Sequence, residues 1–348
     1  MQQGLVAIAA GKGRIMADKV TISVDALGGD NAPGVVLEGV EAALSQDSDL
    51  SVILCGPADV VEPFASAHDR CVARATTEEI SMAEHPANAV RKKKDSSIVV
   101  GCRLVKEGEA DGFFSAGSTG ACLAAGTLVI GRIKGISRPA LATLVPSPTA
   151  PVVLCDVGAN ADCKPDYLVQ FAEMASIYAR KQLGIKNPSV GLLNIGEEEE
   201  KGSEFAQEVH ALLKEQLPNF AGNAEGRDVL SGKFDVVVCD GFTGNVCLKT
   251  IEGTAKVLFS ELKNIMMSSF ITKLAALALK GGLKDLKNRV DPDVAGGAPL
   301  LGCKGACIVG HGSSSAKAIK NGVLAAATYV RSGITEEITQ VVQQKTQA

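Results

Sequence analysis

An apolar run that ends in a glycine-rich polar turn and then enters a helical pattern recurs along this chain, and that unit constrains the fold more than any other feature. Residues 21–25 run into Gly28, Gly29 and Asp30, then the helical pattern of residues 35–44. Residues 51–55 run into Gly56-Pro57, and residues 111–114 into a Ser-Ala-Gly-Ser-Thr-Gly turn at 115–120. Residues 151–155, 190–193, 234–239 and 306–309 behave alike, ending at Asp156, Asn194, Asp240 and Gly310. Strands that alternate with helices predict an α/β fold of three layers, with a mostly parallel sheet covered on both faces. In such sheets ligands bind outside the carboxyl ends of the strands. Those ends carry most of the Gly, Asn, Asp, Ser and Thr that interrupt the apolar runs, which predicts one shared crevice.

Composition narrows the class. The 348 residues are 46% hydrophobic with no tryptophan, a palette suited to buried parallel strands. A net charge of -4 leaves no global basic field to draw nucleic acid, so an acidic partner needs a local patch. Ten cysteines without a CxxC pair fit a reducing cytoplasm better than a disulfide framework. Cys303 and Cys307, four apart, match metal-site spacing only weakly. Residues 1–18 read as an N-terminal extension, without the basic start and clean apolar core of a signal peptide. Residues 19–348 read as a single domain, and no run reaches the roughly 18 apolar residues of a spanning helix.

Residues 254–288 break the rhythm. Apolar residues at helical spacing, interleaved with lysines, predict a protruding amphipathic helical hairpin that Gly281-Gly282 ends. Its Ile265, Met266, Phe270, Leu274 and Leu277 would face a membrane or an acyl chain, the alternative being a core or dimer-interface helix.

The turns offer backbone N–H groups at helix starts, suited to anions. Ser118 and Thr119 add hydroxyls beside Gly117. No turn matches the Walker lysine motif or the dinucleotide fingerprint, so no nucleotide cofactor is expected, and no metal cluster has convincing spacing. Lys164 stands beyond a strand end, before a proline that could open a helix, with Asp156, Asn160 and Asp162 beside it. A lysine there can neutralise phosphate or an oxyanion; the plainer reading is a solvated loop lysine. Lys201 follows the acidic run 197–200 and could simply pair with it. His311 lies between two glycines, where a ring can reach into a cavity. Without a G-x-S-x-G elbow or a cysteine among charged neighbours, the pattern favours direct attack of one substrate on another.

Eight blocks then carry a resemblance: VDALGGDNAPGVVLEG, RKKKDSS, DGFFSAGSTGA, RPALATLVPS, DVGANADCKPDYLVQFAEMA, LLNIGEEEEKGSE, DVVVCDGFTGNVCLKTIEG and GHGSSSAKAI. In order and content they resemble the bacterial phosphate acyltransferase family over about residues 19–334. The resemblance implies a fold similar to phosphotransacetylases and isocitrate dehydrogenases, a homodimer, and transfer of a fatty acyl group from acyl carrier protein to inorganic phosphate. It also implies peripheral membrane association and a glycerol-3-phosphate acyltransferase downstream. On that footing Lys164, Ser118 and Thr119 hold phosphate or the oxyanion, and Asn245 orients the carbonyl or the pantetheine arm. Lys201 is a rim cation, His311 a donor or weak acid, and Asp25 and Asp30 orient the first turn. The glycines Gly28, Gly29, Gly117, Gly196, Gly241 and Gly244, with Asp156, Asn160, Asn194 and Asp240, complete the expected binding set. An acidic carrier would meet Arg91, Lys92, Lys93 and Lys94, or else Arg132, Lys134 and Arg138. The alternatives are a phosphotransacetylase acting on acyl-coenzyme A and a non-catalytic membrane-surface scaffold.

Overall fold

The computed structural model describes residues 19–290 and 292–347, which leaves the expected extension of residues 1–18 outside the described residues. Eleven strands form one sheet: β1 (Val20–Asp25), β2 (Leu50–Gly56), β3 (Cys71–Ala75), β4 (Gly112–Ser115), β5 (Ala140–Val145), β6 (Val152–Cys155), β7 (Val190–Asn194), β8 (Phe220–Glu225), β9 (Val236–Val238), β10 (Ala298–Leu301) and β11 (Ala306–Val309). The helices are α1 (Gly34–Gln46), α2 (Ala58–Ser66), α3 (Pro86–Lys92), α4 (Ser97–Glu107), α5 (Thr119–Ala125), α6 (Pro165–Leu183), α7 (Glu204–Gln216), α8 (Gly241–Met267), α9 (Phe270–Val290), α10 (Pro292–Ala295), α11 (Ala316–Arg331) and α12 (Ile334–Gln347).

The strand order is β3-β2-β1-β4-β11-β10-β5-β6-β9-β7-β8. Pairing is parallel from β3 through β11 and again from β6 through β8. Between these halves β10 is antiparallel to both β11 and β5, and β5 is antiparallel to β6. Three successive reversals make the two parallel halves run in opposite senses. The carboxyl ends of β1, β4 and β11 therefore lie at one edge of the sheet, and those of β6, β7 and β9 at the other.

Both faces are covered, as the alternation along each strand requires. Phe114 and Ile308 enter one core with Leu44 of α1, Phe171 of α6 and Ile319 of α11. Their neighbours Phe113 and Cys307 enter a second core with Ile98 of α4 and Cys122 of α5. The fold is thus the expected mostly parallel α/β arrangement.

Two expectations change in detail. The long helix begins at Gly241, well before residue 254, because Asp240 caps it by accepting from the Thr243 N–H (2.9 Å). Helix α9 runs through Gly281-Gly282. Each glycine costs a helix about 1 kcal/mol relative to alanine, which good helix formers on either side offset.

Candidate active site: two groups of strand-end turns

At the first edge the turns after β1, β4 and β11 interlock. Asp25, buried at 3% exposure, accepts hydrogen bonds from Ser115 Oγ (2.7 Å) and the Leu27 N–H (3.1 Å), and the Ser97 hydroxyl beside it also favours its charged form. Burial pushes its carboxyl above the ordinary range against those three donors. Ser115 Oγ in turn accepts from the Gly117 N–H (2.9 Å), so Asp25 orients the turn that carries Gly117 and Ser118. The Asp30 N–H bonds the Gly312 carbonyl (2.7 Å) and the Gly310 N–H the Ser115 carbonyl (2.8 Å), tying three turns together. Gly28 is required by this approach: a Cβ there would stand 2.9 Å from the N atoms of both Ala116 and Gly117. Gly29 faces the Gly312 carbonyl and Ala116 from the same turn.

His311 is exposed at this edge, and its tautomer can be worked out. Nδ1 lies 3.3 Å from the Ser313 N–H and 2.9 Å from Ser313 Oγ. A backbone N–H only donates, so Nδ1 accepts and the neutral ring carries its proton on Nε2. His311 thereby presents a donor. Ser118 is buried and caps α5 weakly, accepting from the Ala121 N–H at 3.4 Å, while Thr119 is exposed.

At the opposite edge Asp156 organises the turn after β6. Its carboxylate is fully buried and accepts five N–H bonds: Leu141 (3.0 Å), Gly158 (3.2 Å) and Ala159 (3.0 Å) on Oδ1, and the Asn160 backbone and side chain (2.8 Å each) on Oδ2. Burial nonetheless pushes this carboxyl upward. Asn160 spends its side-chain donor on Asp156 and on the Pro139 carbonyl (2.8 Å), so its role is to hold the turn. Gly244 of α8 packs on the same turn; a Cβ would fall far inside van der Waals contact of the Asp156 carbonyl and 2.8 Å from Cys239 Sγ. Gly241 donates its N–H to the Asn160 carbonyl (2.7 Å).

Over this platform stand the exposed Lys164, which precedes α6, and the exposed Asn245, which faces Gly158 from α8. The next turn holds Lys201. Asn194 donates to the Lys201 carbonyl (3.0 Å) and accepts from the Ile195 N–H (2.8 Å), so it too is internally engaged, and Gly196 packs against the Lys201 side chain. Lys201 does not pair with the acidic run. Glu197 instead meets Lys233 (2.7 Å), and Glu199 meets Lys214 (2.7 Å). Neither Lys164 nor Lys201 forms an ion pair among the described residues.

A cleft of about 410 Å³ opens at the turn that precedes Lys164, lined by Asp162, Cys163, Phe205, Asp240, Phe242 and Thr243. Burial, with Asp156, Asp240 and Asp162 nearby, pushes the Cys163 thiol up to about 11, so it is no thiolate at neutral pH. Glu197, Glu225 and Asp228 come within metal-ligand spacing of one another, yet the Lys233 ammonium already sits among them, 2.7 Å from Glu197 and 3.7 Å from Asp228.

The expected single crevice is thus two groups within one chain. Asp25, Gly28, Gly29, Asp30, Gly117, Ser118, Thr119 and His311 occupy one edge. Asp156, Asn160, Lys164, Asn194, Gly196, Lys201, Asp240, Gly241, Gly244 and Asn245 occupy the other. Four strand spacings, from β4 to β6, and a strand length separate Ser118 from Lys164 by roughly 20 Å. Lys164 therefore does not share a ligand with Ser118 and Thr119 of its own chain. Sequence reasoning missed Ser97 and Ser115, although both lie in the quoted blocks as small polar residues flanking the turns.

The fold itself defines a class. It matches the solved structures of a phosphotransacetylase from Streptococcus pyogenes (TM-score 0.57, 18% identity, 91% of this chain and 95% of that one) and a branched-chain phosphotransacylase from Enterococcus faecalis V583 (TM-score 0.55, 15% identity, 89% and 99%). Residues 20–337 match the family described as fatty acid synthesis protein. Proteins named phosphate acyltransferase from Desulfitobacterium hafniense strain Y51 (51% identity over 321 residues, 91% of this chain and 96% of that protein) and Bacillus cereus strain B4264 (47% over 330 residues, 93% and 98%) align nearly end to end. The chain belongs to this phosphate acyltransferase family, whose members are acyltransferase enzymes.

Proposed function

We propose that this enzyme transfers a long-chain fatty acyl group from acyl-(acyl carrier protein) to inorganic phosphate, yielding an acyl phosphate for phospholipid synthesis. The observation that carries the reading is the end-to-end match at 51% identity to a protein named phosphate acyltransferase. The chemistry of the turns is compatible with it. A phosphate oxygen attacks the thioester carbonyl, the C–O bond forms, and the tetrahedral oxyanion collapses as the C–S bond breaks. Lys164 and Lys201 offset the negative charge of phosphate, and Asn245 donates to the carbonyl oxygen. A thiol leaves with an ordinary pKa of about 8.5, so it needs only a weak donor, a part suited to His311 Nε2–H. Asp25, Asp156, Asn160, Asn194 and Asp240 act as positioning residues.

Because the two groups of one chain lie apart, the homodimer is the arrangement in which the His311 edge of one copy would complete the Lys164 edge of the other. The exposed apolar residues Ile265, Phe270, Leu274 and Leu277 support peripheral membrane contact, where a glycerol-3-phosphate acyltransferase would take the product. Met266 is half-buried. Among the described residues no helix is long and apolar enough to cross a membrane. Sedimentation with lipid vesicles tests the contact, and a protein that stays in the supernatant removes it.

The deciding assay is thiol release from palmitoyl-loaded carrier protein with and without phosphate, run beside acetyl-coenzyme A. Phosphate-dependent release from the carrier supports the proposal. Release from acetyl-coenzyme A alone favours the phosphotransacetylase reading that the fold neighbours keep open, and release from neither leaves a scaffold.

A further inference from the structure

Two runs of basic residues were candidates for meeting an acidic partner, and folding treats them differently. At the C-terminal end of α3, Lys93 is taken up by Glu84 (2.7 Å) and the Glu79 carbonyl (2.7 Å), leaving Arg91, Lys92 and Lys94 exposed. That helix packs on α5, at the edge away from Lys164. The loop of residues 131–139 instead gathers cations from three distant parts of the chain. Arg132, Lys134 and Arg138 are exposed on it. Its Gly131 carbonyl accepts the Lys304 N–H (2.8 Å), which brings the exposed Lys304 alongside. Its far end is bound to the reaction platform: Asn160 donates to the Pro139 carbonyl (2.8 Å), and Gln170 of α6 bonds Ser137 N–H (2.8 Å) and the Gly135 carbonyl (3.0 Å). Lys164 opens that same helix.

The loop is also held in shape. Arg132 donates to the Ser137 carbonyl and, at 3.4 Å, to the Ile136 carbonyl, while Ile133 and Ile136 are buried anchors. No ion pair is formed by Arg132, Lys134, Arg138, Lys304 or Lys164 among the described residues. The loop itself carries no carboxylate: between Asp111 and the buried Asp156 the chain has no acidic residue. The loop has no exposed large apolar residue to wedge into a bilayer, unlike α9. A rigid cationic rim beside the Lys164 platform, with its isoleucines turned inward, suits a folded acidic protein better than a lipid surface.

We infer that Arg132, Lys134, Arg138 and Lys304 form the docking surface for an acidic protein partner that delivers the thioester to the Lys164 edge. This rests on the carrier-protein reading above and names the face that receives it. Encounter there is steered by charge, weakens with salt, and is separable from chemistry on the thioester itself.

The test compares Lys134→Glu/Arg138→Glu with Arg91→Glu/Lys94→Glu. Fluorescence anisotropy of labelled acyl carrier protein gives Kd directly, without requiring turnover. The loop variant should raise Kd roughly ten-fold and flatten its salt dependence, with the α3 variant moving it by about two-fold or less. In the thiol-release assay the loop variant should raise KM for the carrier substrate relative to palmitoyl-pantetheine, which lacks the protein. An unchanged Kd in the loop variant, or a larger rise in the α3 variant, overturns the assignment. So does loss of binding to phosphatidylglycerol vesicles with carrier affinity intact, which would give the rim to lipid. A wild-type protein that binds the carrier yet releases no thiol refutes the reaction while leaving the docking face standing.

Discussion

Replacing Asp156 by Asn tests the architecture of the Lys164 platform most directly. All five groups on its carboxylate are N–H donors, so both oxygens must accept. An asparagine amide cannot satisfy this in either orientation. With its NH2 in the place of Oδ2, two bonds from Asn160 are lost and donor faces donor; in the place of Oδ1, three are lost. A buried donor without a partner costs about 1–3 kcal/mol, so the loss is about 2–6 kcal/mol. That is a large part of the roughly 5–15 kcal/mol by which native domains exceed their unfolded chains. With a urea slope of about 3 kcal/mol/M, the midpoint should fall by roughly 1–2 M. The chain has no tryptophan, so far-UV circular dichroism is the probe. Asp162→Asn, at an exposed neighbouring carboxylate, should leave the midpoint in place. A midpoint for Asp156→Asn within about 0.2 M of wild type would refute the reasoning, since two or three lost and inverted contacts cannot be that cheap.

Gly244→Ala should lower Tm by roughly 5 °C or more through overpacking on the Asp156 carbonyl, whereas Gly253→Ala, with open space around it, should raise Tm slightly; equal shifts would sink the close-approach argument. Burial opposes it, yet Arg331 (2.6 Å), the Asp49 N–H and Arg70 hold the Asp47 carboxyl below the usual range. A folded value below the unfolded one gives stability that is complete above the ordinary carboxylate pKa of about 3.9 and is lost as pH falls through the folded value. Tm of Asp47→Asn should therefore trail wild type at pH 6 and converge with it towards pH 3; parallel curves would contradict this. Lys164→Ala should fold normally and lose most phosphate-dependent thiol release, and near-normal turnover would take Lys164 out of the site. Unfolded and refolded together in equal amounts, Lys164→Ala and His311→Ala chains should regain about a quarter of wild-type activity if each site spans two copies; a mixture no better than its parts would place the site within one chain.

Much of the fold was legible because its signals are local. The runs at residues 21–25, 111–114 and 306–309 each end in a glycine-bearing polar turn, and each has a covering helix in the following sequence, so β1, β4 and β11 declare themselves. The strands that escaped notice are β3, β5, β8 and β10. CVARA and FAGNAE are polar enough to read as loops, because β3 and β8 lie at the two margins of the sheet. ALATLV is flanked by proline on both sides and the four-residue APLL by glycine, and no helix follows either one. Missing β5 and β10 had a specific consequence. They are the strands that reverse the sheet, so without them every strand-end turn seemed to share one edge.

The residue types of the turns, their N–H-rich format and the membership of the family were settled by the chain's own order, since each depends on neighbours a few positions apart or on a match to whole blocks. Which edge each turn occupies was decided by pairings over long distances, such as Leu300 with Leu141 and Ala298 with Val309. Those pairings also separated Lys164 from Ser118, drew Lys304 beside Arg132, and brought the Pro139 carbonyl to Asn160. A local pattern specifies that a strand ends in a site-forming turn; it carries no record of the strand's direction, because direction is a property of the partner across the ladder.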